Sequence, residues 1–250
     1  MLGLRVALPR YVAMSNRDQH AYYVKVSFIL ISITTAIFLL IMFLGQNIVI
    51  KTLFGDLKYA HLLYPLVFTI LALCFHGWIY SYYRGLMNME KANMLQLLNM
   101  SLIPIVVISI WHKSASEILL TTSIFAIMLT IIFGLPALKQ VITRLNIKGH
   151  LRKTANELLI YGTPRMFGEF AVMGLFALGP IIAAHYVSME EVGYLGVGIS
   201  MIYMFEAPAA PLGLVLLPKV SNMLNQGKKE ALKENIAHLI SATIQLGIFA

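Results

Sequence analysis

The feature that most constrains this chain is a succession of apolar runs, nearly free of charge and separated by short polar segments. A helix rises about 1.5 Å per residue, so about twenty apolar residues span the roughly 30 Å hydrocarbon core of a bilayer. Seven such runs are readable: Val26–Ile50, Leu62–Tyr82, Met94–Trp111, Leu119–Leu138, Met166–Val187, Val192–Leu217 and Ile236–Ala250. Lipid offers the backbone no hydrogen-bond partner, so each run must satisfy itself as a helix. The expected fold is therefore an all-α, polytopic transmembrane bundle. Composition agrees: 59% of the residues are hydrophobic and 12% charged, against roughly 25% charged in an ordinary soluble domain.

The net charge is +8. In a soluble protein that balance suggests nucleic acid, but here the cations fall between apolar runs. With the segment before Val26 on the cytoplasmic side, sixteen of the 19 lysines and arginines lie inside; Lys51, Lys58 and Lys113 lie outside. That asymmetry is the positive-inside pattern and sets the expected orientation. The single cysteine, Cys74, excludes a disulfide framework.

Both ends read as cut. Met1–Met14 looks like the exit of a helix whose entrance is missing; the alternative is a short interfacial helix carrying Arg5 and Arg10. The last run stops after 15 residues. The longest connector, Lys139–Arg165, is basic and divides the chain. Residues 1–138 then form the end of an amino-terminal lobe, 139–165 a cytoplasmic connector, and 166–250 the start of a carboxy-terminal lobe.

No nucleophile elbow, glycine-rich phosphate loop or paired-histidine metal motif is present, so catalysis, cofactors and metals are not expected. The informative residues are ionisable groups at membrane depth, where a charge costs roughly 2.5–3.5 kcal/mol on insertion scales. Glu206 is the deepest, in the sixth run. Arg165 and Glu169 are one turn apart and share a helix face; a self-neutralising interfacial salt bridge is the other use of that spacing. Pro208 and Pro211 follow Glu206 and break or kink the helix there, either as a gating hinge or as a static bend. His76 reads as an interhelical hydrogen bonder rather than a proton relay.

Several stretches resemble one family. They are LRVALPRYVAM near the start, YYRGLMNMEKAN at Tyr82–Asn93, LLIYGTPRMFGEFAVMGLFALGPIIAAH ending at His185, EEVGYLGVGISM, and LVLLPKVSNMLNQGKKEA. In order and spacing they resemble the polysaccharide and O-antigen flippases of the multidrug/oligosaccharidyl-lipid/polysaccharide exporter superfamily. The resemblance implies a partial two-lobed flippase fold lacking its first two and last helices. It implies a transporter in the inner (plasma) membrane that moves polyprenyl-diphosphate-linked oligosaccharide to the outer leaflet. Membrane lipid, a coupling proton or sodium ion, and a polysaccharide polymerase are the implied partners. Arg165 and Arg84 would grip the diphosphate, unless both serve only as inner-face anchors; Glu206 and Glu169 would couple the ion. Two other readings stay open: an ion-coupled drug or metabolite exporter of the same superfamily, and a membrane-embedded sugar-modifying enzyme such as an acyltransferase.

Overall fold

The computed structural model describes residues 3–14, 17–110, 114–143, 151–206 and 236, and among them every regular element is helical. In chain order these are α1 (Leu4–Met14), α2 (Arg17–Leu44), α3 (Gln46–Phe54), a 3-10 turn (Leu57–Leu62) and α4 (Leu63–Gly85). They are followed by α5 (Met89–Leu97), a π-helical turn (Leu98–Leu102), α6 (Ile103–Ile110), α7 (Ala115–Thr143), α8 (Leu151–Ala183) and α9 (Met189–Glu206). Among the described residues, five stretches are long and apolar enough to cross a membrane: Gln19–Leu44, Leu57–Gly85, Met89–Ile110, Ala115–Ile142 and Leu151–Ala183. The chain separates into two compact units, Met1–Ala177 and the part from Leu178 onward.

In the first unit α4 is the centre, packing on α1, α2, α5 and α7. Contacts along it fix the helix directions. Ser27 of α2 meets Trp78 of α4 (Nε1 to Oγ, 3.0 Å), while Met42 clusters with Leu63, so α2 and α4 are antiparallel. Thr69 meets Ser123 (2.8 Å) near the start of α4 and α7, and the Tyr83 hydroxyl donates to the Phe133 carbonyl (2.6 Å) towards their ends. Helices α4 and α7 are thus parallel, as crossings two and four of an alternating bundle must be. The core gathers at the end where α4 finishes: Leu4, Leu8, Val12, Val24, Trp78, Tyr82 and Leu158 are all buried there. Arg10, Arg84, Lys91 and Lys139 belong to this same end, called the basic end below.

Glycine decides how closely α1 approaches. A side-chain carbon on Gly85 would lie 2.7 Å from Val12 Cβ and 3.1 Å from Pro9 Cα, and one on Gly3 would collide with the Gly162 carbonyl. Gly3 also has φ 63°, in the left-handed region.

The apolar runs and the helices differ at their edges for physical reasons. The run Val26–Ile50 is broken at Gly45, and α3 ends at Gly55, whose left-handed backbone (φ 75°) returns its N–H to the Lys51 carbonyl. The run beginning at Met94 starts five residues earlier, because the Asn88 side chain accepts the Lys91 N–H (3.1 Å) and caps α5. The largest difference is α8. Much of the segment expected to connect the lobes, 151–165, is helix, and Thr154, Leu158 and Gly162 form one buried stripe along it. Hydropathy trims such a helix because its first turns carry Arg152, Lys153 and Glu157, yet they are good helix formers with an i, i+4 apolar face.

In the second unit, α9 starts at a capping box. The Ser188 hydroxyl accepts the Glu191 N–H (3.3 Å), and the Glu191 carboxylate accepts the Ser188 N–H (2.9 Å). The helix therefore begins at Met189 rather than Val192. Within the run Ile236–Ala250 only Ile236 is described, and the remainder of Val192–Leu217 beyond Glu206 lies outside the described residues.

Candidate functional site

At the basic end, α1, α2 and the first turns of α8 bring six side chains together. Glu157, Tyr161 and Arg165 recur every fourth residue, so they line one face of α8. The Tyr161 ring receives two cations: the Arg165 guanidinium carbon is 4.3 Å from its centroid and that of Arg10, from α1, is 4.2 Å away. Tyr11 meets the same ring edge-on (6.1 Å) and stacks on Tyr23 (5.2 Å, 18° between planes). The Tyr23 hydroxyl donates to Glu157 Oε2 at 2.7 Å.

This arrangement leaves both guanidiniums chemically available. Arg10 and Arg165 are solvent-exposed. A cation resting on a ring keeps its planar N–H edge free, and that edge fits an oxyanion in bidentate fashion. The nearby carboxylate, Glu157, is held by a phenol and makes no ion pair with either arginine. Two cations thus share one aromatic ring, and among the described residues no carboxylate pairs with either of them.

The expected site residues fall in different places. Arg165 belongs to this cluster. Arg84 stands on Tyr80 of its own helix (5.6 Å), and Lys91 beside it on Tyr83 (5.8 Å). Glu169 is exposed one turn beyond Arg165 and makes no ion pair with it, since Arg165 turns back to Tyr161. Glu206 is the final residue of α9, and its side chain lies outside the described residues, as do Pro208 and Pro211. Arg10, Tyr161 and Tyr23 are the site residues that sequence reasoning missed. The Glu-x3-Tyr-x3-Arg stripe was a readable signal; the meeting with Arg10 depends on where α1 packs.

A second polar group lies inside the bundle. His76 of α4 is 4% exposed and is bonded on both ring nitrogens: Nε2 to Gln96 Oε1 (3.0 Å) and Nδ1 to Asn99 Nδ2 (3.0 Å). The Asn99 amide also donates to Thr130 Oγ1 of α7 (2.8 Å). His76 is therefore an interhelical hydrogen bonder, as expected, joining three membrane-length helices.

A family model described as "Polysaccharide biosynthesis protein" matches residues 1–224. No curated protein and no solved structure matches the chain.

Proposed function

This chain belongs to the polysaccharide biosynthesis family of polysaccharide and O-antigen flippases, and from that premise we propose that it carries a lipid-linked oligosaccharide across the bilayer. A sugar headgroup cannot cross hydrocarbon alone, because its hydroxyls would lose their hydrogen bonds to water. A helical bundle that shelters the headgroup removes that barrier while the lipid tail stays in the membrane.

The observation that carries the reading is the pair of exposed guanidiniums on Tyr161. A diphosphate linking sugar to polyprenol presents several anionic oxygens at the interface. Arg10 and Arg165 supply planar, bidentate donors for them at the basic end. That end faces the cytoplasm under the positive-inside rule, so loading occurs from the inner leaflet. Arg84, standing apart on Tyr80, then serves as an inner-face anchor. Ion coupling falls to Glu206, with Glu169 second; the kink at Pro208 and Pro211 supplies the moving joint beside it. The segments 1–138 and 166–250 belong to opposite lobes in this reading.

Rescue of surface polysaccharide in a flippase-deficient strain tests it. The chain, restored to any flanking sequence its gene carries, should rescue, and Arg10→Ala or Arg165→Ala should each weaken binding of a polyprenyl diphosphate glycan about 10- to 100-fold. Losing one charge-assisted contact of about 1.5–3 kcal/mol gives that factor. Lysine replacements should recover little, since an ammonium lacks the planar fork. Undiminished binding by the Arg10→Ala/Arg165→Ala double variant would remove the site, and drug efflux without any rescue would replace the flippase reading with that of an exporter.

A further inference from the structure

The buried polar group at His76 holds more acceptors than the protein satisfies. With Nδ1 accepting from Asn99 and Nε2 donating to Gln96, His76 is the neutral Nε2–H tautomer, as assigned from its partners. Both amide protons of Asn99 are then committed, one to His76 and one to Thr130. Its side-chain oxygen, Oδ1, is buried and has no hydrogen-bond partner, although Asn99 as a whole is only 3% exposed.

The backbone at the same residue is short of a donor as well. Asn99 lies in the π-helical turn Leu98–Leu102, where the Ile103 N–H reaches back to the Leu98 carbonyl rather than to Asn99. The next residue is Pro104, which has no N–H to give. Neither the i+4 nor the i+5 position can therefore serve the Asn99 carbonyl. Proline also explains the wide turn itself, since its ring would clash with the carbonyl one helical turn before it. Thus Asn99 has a side-chain oxygen with no partner and a carbonyl with no donor at i+4 or i+5, in the stretch Met89–Ile110, which is long and apolar enough to cross a membrane. Hydrocarbon supplies none, and an unsatisfied group there is costly.

We propose that Asn99 is the centre of a binding site for a small monovalent cation, held by its side-chain oxygen and its freed carbonyl. The ligands are neutral oxygens, and no described cluster of acidic or histidine side chains suits a divalent or transition metal. Interrupted membrane helices use freed carbonyls in this way in ion-coupled transporters. Gln96, His76 and Thr130 are positioning residues: they fix the amide plane and so aim Oδ1. The site stands independently of the lipid-linked substrate, because it is read from binding alone.

The test uses the full chain in lipid nanodiscs, with sodium or potassium chloride replaced by choline chloride at constant ionic strength and pH. Sodium or potassium should raise the melting temperature saturably, by at least about 2 °C, as expected for a ligand that binds only the folded state. Asn99→Leu should abolish that rise. Pro104→Ala, which restores an N–H to the turn, should melt no lower than wild type in choline and yet lose most of the cation response. A merely structural Asn99 would show no such split. Should Asn99→Leu fail to fold, Pro104→Ala decides alone. An unaltered melting temperature on exchanging sodium and potassium for choline would overturn the proposal in favour of a buried water. So would a response that survives in Pro104→Ala and Asn99→Leu, or one reproduced by acidification in choline.

Discussion

Tyr161 accepts a guanidinium from its own helix and another from α1, so one ring decides where two cations sit. Single residues elsewhere carry comparable local weight. Met87, two residues past the end of α4, has φ 57°, a left-handed backbone that costs an L side chain roughly 1–2 kcal/mol. The Asn88 N–H nevertheless reaches the Tyr83 carbonyl (2.9 Å) and closes the turn. Met87→Gly should relieve that strain, less glycine's own entropy cost, and raise stability by about 0.5–1 kcal/mol in a chemical denaturation series. At the opposite end, Asp56 accepts the Lys58 N–H (3.1 Å) and pairs with its ammonium (3.3 Å). The backbone hydrogen bond from Lys58, followed by its side chain, holds the Asp56 carboxyl below its ordinary value. A lowered folded value means the contribution is present above the unfolded pKa of about 3.9 and is lost as pH falls through the folded one. The melting-temperature difference between wild type and Asp56→Asn should accordingly shrink as the pH is taken below about 4.

At the scale of the element, α1 and α8 show what a short helix can and cannot announce. Helix α1 has only 11 residues, yet Leu4, Ala7, Leu8 and Val12 are buried on it at helical spacing. It reaches α4 because Gly85 leaves room. Gly85→Ala would push a carbon against Val12 and the Pro9 backbone and should cost about 1–3 kcal/mol, measured by thermal unfolding. Gly168→Ala on α8 meets nothing within 4 Å and should be neutral or stabilising. The long apolar runs were legible because lipid enforces length and hydropathy together. Helix α8 was legible only in part: its amino-terminal turns are polar, and Leu158 of their buried stripe joins the protein's own core with Leu4, Leu8 and Val12. The candidate site divides the same way. Arg165 could be picked out beside Glu169, but its contact could not: the guanidinium lies on the Tyr161 ring, one turn back. Arg10 could not be paired from sequence, because no local spacing links residue 10 to residue 161.

The first unit as a whole alternates direction. Helix α2 runs opposite to α4 and α4 runs with α7, so Arg84, Lys91 and Lys139 gather at one end and Lys58 at the other. In a Cys74→Ser background, Lys58→Cys and Glu90→Cys should react with a membrane-impermeant maleimide from opposite faces of the membrane, with Lys58→Cys labelled in intact cells. Labelling of both from the same face would break the alternation.

The π-helical turn also changes how the third crossing must be counted. It amounts to one extra residue inserted into an otherwise ordinary helix. Ala92 and Leu95 before it and Asn99 within it are buried; after it, the buried position is Val107, while Val106 is 47% exposed. The inward line is thus continuous only if the count slips by one at the turn. Deleting one residue at Ser101 or Leu102 would leave an ordinary helix with Val107 still inward, whereas one further residue, with no second wide turn to absorb it, would rotate α6 by about 100° relative to α5 and turn Val107 towards lipid. The length of this loop-free helix is therefore as much a part of its message as its letters.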